Sequence, residues 1–208
     1  MGFKGFITTN FDKCLYSNIP RATMFSFPFI EEDFSQIPFI TYLHGRVFRT
    51  HDDDPGTINE LLDSVVFRSA MYNMAYSFDE GGSGVCSAYL ARLCKEMHIV
   101  FVGFSFKDHY ILDSLMKSLR NRKTLDIERE RVHSRYKSTW KNIYIFIEEE
   151  KDIYADRDLR KYGNIKFIRY KRLDPHFQGL NELMHQIYIK LNDGNYKGNP
   201  FIDTQDQL

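Results

Sequence analysis

The 208-residue sequence has few cysteines: Cys14, Cys86 and Cys94, no two of them close together. A disulfide framework or a four-ligand zinc site needs more of them at short spacings, so no metal is expected. The scarcity also favours a reducing compartment. Net charge is lacking as well, with 28 Lys plus Arg against 28 Asp plus Glu. There is then no global field to draw in nucleic acid or an anionic membrane. The longest apolar run, near Ile99 to Phe106, falls well short of the roughly 18 residues a bilayer span requires. No signal peptide and no internal repeat is visible. Together these absences predict a cytoplasmic protein with no membrane and no nucleic-acid partner.

What is present is core material. Hydrophobic residues make up 43% of the chain and aromatics 15%, including 18 Phe and 13 Tyr. That suffices for one substantial domain, expected over residues 3–191, with a polar, Gly-rich tail over 192–208 expected to be disordered. Short apolar runs at Gly5 to Thr9, Pro38 to Leu43, Ile99 to Phe104, Ile143 to Ile147 and Ile165 to Tyr170 read as strands covered on both faces. Between them, Ser87 to Met97, His109 to Leu119 and Leu180 to Leu191 carry apolar residues at helical spacing. The alternation predicts an α/β fold with a doubly wound, Rossmann-like parallel sheet. His51 to Gly56 reads as a charged surface loop. Arg120 to Lys141, dense in charges of both signs, reads as a solvated helix or helical insertion.

Ligands of an open parallel sheet bind at the carboxyl ends of its strands. The first predicted strand runs into Thr8, Thr9, Asn10 and Asp12. The second ends at His44 and Gly45, and the third at Gly103, Ser105 and Asp108. One His, one Asn, two acids and two glycines are therefore expected at one sheet edge. Each has a plainer reading too. Thr9 and Asn10 equally suit the cap of a helix starting near Asp12. His44 suits a turn with a satisfied imidazole. Gly103 suits a tight turn, and Ser105 the cap of the next helix.

Ile7-Thr8-Thr9-Asn10-Phe11-Asp12, Leu43-His44-Gly45 and Phe101-Val102-Gly103-Phe104-Ser105-Phe106-Lys107-Asp108 resemble, in order and strand context, three successive motifs of sirtuin-like domains. The likeness covers Gly5 to Leu191 and is nearest to the bacterial branch used as NAD-degrading effectors in antiphage defence. The resemblance implies an NAD glycohydrolase that releases nicotinamide and ADP-ribose. It places Asn10 where the family's active-site Asn orients a water or the nicotinamide ribose, and Asp12 in the nicotinamide-side pocket. His44 falls at the catalytic His, a general base. Thr8, Thr9, Gly45, Gly103, Ser105 and Asp108 fall at cofactor-binding positions, with NAD as substrate.

Two departures qualify what the resemblance implies. Sirtuin deacylases hold a zinc module with two cysteine pairs and usually carry Gln where this chain has Thr9. Neither feature is present, so water is the expected acceptor. The family also opens with a Gly-Ala-Gly-type loop whose amides cradle the pyrophosphate. Here Met1-Gly2-Phe3 directly precedes what would be a later strand, so an N-terminally incomplete domain is expected. Gly81, Gly82 and Gly84 form a Gly-rich stretch with no convincing strand before it, and read as a helix entry. An incomplete domain suggests a partner chain or homo-oligomer supplying regulation or the absent segment. The alternative is a non-catalytic module that binds NAD or ADP-ribose.

Overall fold

Apolar runs too short for helices pair side by side to satisfy their backbone groups, and in this chain every described pairing is parallel. The computed structural model describes residues 3–19, 21–28, 30, 34–35, 37–50, 65–77, 84–104, 107–132, 141–148, 159, 161–162, 164–171, 178–195 and 197–198. They fall into two compact units, one of Phe3–Arg92 and one beginning at Leu93.

In the first unit, strands β1 (Gly5–Thr8), β2 (Thr23–Ser26) and β3 (Phe39–Tyr42) form a sheet in the order β1-β3-β2. All four residues of β3 are buried, as a central parallel strand requires. Its polar member, Thr41, is fully buried, and its hydroxyl is paired with the Tyr89 hydroxyl at 2.7 Å. The Phe39 ring lies over Gly5, where any side chain would collide with it. Phe39 also meets Phe25 and Phe34, and Phe34 meets Tyr89. Helix α1 (Cys14–Asn18) lies between β1 and β2, and helix α2 (Ser69–Tyr76) comes after β3. Helix α3 (Val85–Glu96) packs on the sheet through Tyr89.

Gly84 stands at the junction of α2 and α3. Its amide donates to the Ser77 carbonyl at 2.6 Å, and its own carbonyl accepts the Ala88 amide at 3.0 Å. A methyl group here would drive into the Ala75 carbonyl and lie 2.7 Å from that of Met74. The residue is glycine because two backbones touch at this point.

In the second unit, β4 (Ile99–Phe101), β5 (Ile143–Glu148) and β6 (Ile165–Tyr170) form a sheet in the order β4-β5-β6. All six residues of β5 are buried, and strand alternation sorts them onto two faces. Ile143, Ile145 and Ile147 pack with Leu115, Met116 and Leu119 of helix α4 (His109–Val132). Tyr144 and Phe146 pack with Leu183 and Ile187 of helix α5 (Gln178–Asn192). Helices on both faces make this unit doubly wound. Each fully buried isoleucine contributes about 1.5–3 kcal/mol.

The chain is thus α/β with parallel strands, as its periodicity predicts, and the described strands form two three-stranded ladders. Several expectations need correction. Strand β1 is half-exposed at a sheet edge, with Ile7 at 37%, where a fully covered strand was expected. Strand β4 stops at Phe101, short of Phe104. Helix α4 extends the His109–Leu119 pattern without a break to Val132, and beyond Leu119, where a solvated helix is expected, only Asp126 is buried. Asn192, expected to open the tail, closes α5. The charged loop at 51–56 and the Gly81–Gly82 pair lie outside the described residues. Among the described residues, no helix is long and apolar enough to cross a membrane.

This packing has two measurable outcomes. Gly84→Ala should destabilise the protein by about 1–3 kcal/mol through backbone overpacking, read as a lowered urea midpoint; an unchanged midpoint would mean that α2 and α3 separate freely. Burial pushes the Cys94 thiol and the Tyr89 phenol up to about 12 each, opposed more weakly by Arg122 and by the Thr41 hydrogen bond respectively. Both groups stay neutral in the fold after the unfolded chain has ionised them, so their stabilisation is intact below pH 9 and lost toward pH 12. The melting temperature should fall over that window, and more gently in a Tyr89→Phe/Cys94→Ala variant. Equal slopes would refute the assignment.

Candidate functional site

Because β1 and β3 end in the same register, with Thr8 opposite Tyr42, the segments leaving them run side by side. The Leu43 amide donates to the Thr8 carbonyl at 2.9 Å, and the Val47 amide to the Phe11 carbonyl at 3.2 Å. The first two motifs of the sequence are therefore stitched together at the carboxyl edge of the first sheet.

His44 sits in a turn closed by the Gly45 amide on the Tyr42 carbonyl at 3.1 Å. Gly45 has φ +87°, a conformation that side chains disfavour. The imidazole is 3% exposed. Its Nε2 lies 2.7 Å from the Tyr76 hydroxyl, and the Tyr72 and Tyr76 rings meet it edge-on. The plain reading of a satisfied histidine and the functional one coincide here, since a hydrogen-bonded, buried imidazole is also an oriented one.

The opposing segment is open to solvent. The Thr8 hydroxyl accepts the Asn10 amide at 3.0 Å, which tightens the turn and leaves Asn10 exposed. Thr9, half-buried, lies between them. Asp12 is exposed and accepts the Cys14 amide at 2.8 Å, so it holds the first turn of α1. That hydrogen bond, together with a weaker one from the Cys14 side chain, keeps its carboxyl below the ordinary range. Asp12 is charged at neutral pH.

Beneath these loops lie groups outside the three motifs. Arg46 is buried, donating to the Phe48 carbonyl at 2.6 Å and lying 5.6 Å over the Phe48 ring. The Tyr42 hydroxyl is buried, and burial raises its pKa, opposed more weakly by the Tyr16 backbone. Tyr72 and Tyr76 lie on a helix that apolar periodicity does not reveal. Their four-residue spacing was the available signal.

The third motif lies in the second unit, at the carboxyl end of β4. Gly103 has φ +66° and open space where a side chain would begin. Asp108 accepts the Tyr110 and Ile111 amides at 3.0 and 3.2 Å and is the N-cap of α4. Helix α4 thus begins at His109 and takes a carboxylate as its cap. Ser105 itself lies outside the described residues. The structure thus gathers Thr8, Thr9, Asn10, Asp12, His44 and Gly45 at one edge, while Gly103 and Asp108 occupy a strand end of the other sheet. Among the described residues, no three His, Cys, Asp or Glu side chains cluster as metal ligands do.

Residues 4–170, most of the chain and all three motifs, match a family described as the SIR2-like domain. No curated protein and no solved structure matches the chain.

The Asp12–Cys14 pair offers a check on the geometry of this edge. Cys14 is exposed, yet the Asp12 carboxylate raises its pKa, first through a hydrogen bond and then through charge. Since the thiolate is the reactive form, Asp12→Asn should speed iodoacetamide labelling of Cys14 at pH 8 by about threefold or more. The buried Cys94 should stay unlabelled in both proteins. Equal Cys14 rates would show that the two side chains do not meet.

Proposed function

The chain belongs to the SIR2-like domain family, and from that premise we propose that it is an NAD glycohydrolase, cleaving NAD to nicotinamide and ADP-ribose with water as acceptor. The carrying observation is His44, buried and hydrogen-bonded, on a segment that backbone hydrogen bonds tie to the one carrying the exposed Asn10 and the charged Asp12.

In this reaction the bond between the nicotinamide nitrogen and the ribose anomeric carbon breaks. Its electron pair returns to the cationic ring, so nicotinamide leaves neutral. Positive charge develops on the sugar in an oxocarbenium-like state, as in glycoside hydrolysis. Water supplies the oxygen that bonds the anomeric carbon, and its proton passes to a base. His44 is suited to be that base, since a neutral imidazole carries a nitrogen lone pair able to take a proton. Asn10 is suited to orient the water or the nicotinamide ribose. Asp12, already ionised, opposes the developing positive charge. Thr8, Thr9 and Gly45 at this edge, and Gly103, Ser105 and Asp108 after β4, are the cofactor-side positions that the family likeness implies. Such an activity exhausts a shared cofactor, which fits a role in antiphage defence in the cytoplasm. It also demands a control element, a partner chain or a second copy.

A second reading, a non-catalytic module for NAD or ADP-ribose, draws on one observation. Asp12 and Asp108 both commit carboxylate oxygens to helix amides, which a purely structural pair of acids would also do.

Incubation of the full chain with NAD, with chromatography of the nicotinamide released, separates the two. Release should occur and drop by about a hundredfold or more in His44→Ala, the usual range for removing a general base. Calorimetric binding of ADP-ribose without release would establish the module, and neither binding nor release would end both readings.

A further inference from the structure

Two tyrosines outside every motif close over His44. Tyr72 and Tyr76 are four residues apart on α2, so one helical turn sets them on a common face. Their ring centroids lie 6.1 Å apart with planes 21° from parallel. Both meet the imidazole edge-on, at 5.3 and 5.8 Å between centroids. The Tyr76 hydroxyl is placed on a ring nitrogen, 2.7 Å from Nε2.

We infer that Tyr76 is a positioning residue for His44, its hydroxyl oxygen accepting from Nε2–H so that the ring is fixed and the basic lone pair is on Nδ1. The inference rests on the reading of His44 as the base of an NAD-cleaving site. A neutral imidazole has one donor nitrogen and one acceptor, and the hydrogen bond at one nitrogen sets the state of the other. A base must present a lone pair. With Nε2 facing Tyr76, that lone pair belongs to Nδ1, and the proton belongs to Nε2. The phenol oxygen accepts from Nε2–H equally in the imidazolium, so the contact persists when His44 takes up a proton. The ring need not turn during the reaction.

The anchoring of the pair supports this role. Consecutive residues in the first turn of α3 grip both sides of it. The Ser87 hydroxyl donates to the Tyr76 carbonyl at 3.1 Å, and the Cys86 thiol donates to the Leu43 carbonyl, one residue before His44, at 3.2 Å. Tyr76, like His44, is 3% exposed, so water does not readily replace the phenol if it is lost. A hydroxyl held this firmly on a buried imidazole acts as a fixed reference for its orientation.

The test is Tyr76→Phe in the full chain, with Tyr89→Phe as a matched control. Tyr89 also loses a buried hydroxyl bonded to a side chain, that of Thr41, and has no part in the site. Nitrogen NMR of ¹⁵N-histidine-labelled protein reads the His44 tautomer without any substrate. The Nε2–H form should dominate in the unsubstituted chain and give way to a mixture in Tyr76→Phe alone. An Nδ1–H form at the outset, or no change in Tyr76→Phe, overturns the inference. In nicotinamide release, kcat should fall about tenfold to a hundredfold in Tyr76→Phe, part of the full general-base contribution, with KM for NAD nearly unchanged. A kcat no lower than that of Tyr89→Phe overturns it too. If the unsubstituted chain cleaves no NAD, the glycohydrolase reading falls, and the tautomer measurement still decides the role of Tyr76.

Discussion

Parallel pairing obliges the chain to travel back across the sheet after every strand, and this obligation organises everything else in the molecule. Each strand is delivered to its neighbour pointing the same way, so its outgoing segment emerges at a shared edge. In the first unit the last paired residues are Thr8 and Tyr42. The segments leaving that pair, Asn10 to Asp12 on one side and Leu43 to Arg46 on the other, are adjacent by construction. Residues more than thirty positions apart are brought together by register, before any side chain contributes. The cost is that the central strands β3 and β5 must be covered on both faces, and the burial of every residue in them shows that it is met.

Covering β3 brings polar groups inside as well, and several of them answer one another. Thr41 meets Tyr89, His44 meets Tyr76, Ser87 meets the Tyr76 backbone, and Cys86 meets that of Leu43. The first ties β3 to α3, and the other three tie the segment around His44 to α2 and α3. Low surrounding polarity strengthens such bonds and makes a missing one expensive. The contacts around His44 and Tyr76 hold the core and also aim the imidazole, so stability and imidazole orientation are difficult to vary separately there.

How far the sequence announced this can be traced residue by residue. Strands β3, β5 and β6 were legible because runs such as IYIFI and IKFIRY are dense in β-branched and aromatic residues and lie between turn residues. Strand β2 was not, because TMFS is short and contains a single buried residue, Phe25. Helix α2 was not, because its buried residues, Ala75 and Tyr76, are neighbours at its end and make no periodic stripe. That omission hid the tyrosines beside His44. The three motifs were legible as strand ends, whereas the hydrogen bond of Asp12 to the Cys14 amide and the capping of α4 by Asp108 were not. Capping and ligand contact call for the same residue types at the same place.

The bond between Ser77 and Gly84 has a consequence for how this protein is able to change over generations. The two ends of the intervening segment are pinned to each other by one amide and one carbonyl at 2.6 Å, against a contact too tight for a side chain. The helices on either side meet at that pin. Over generations, position 84 is therefore closed to any residue but glycine for as long as the α2–α3 junction, with Tyr76 beside it, is kept.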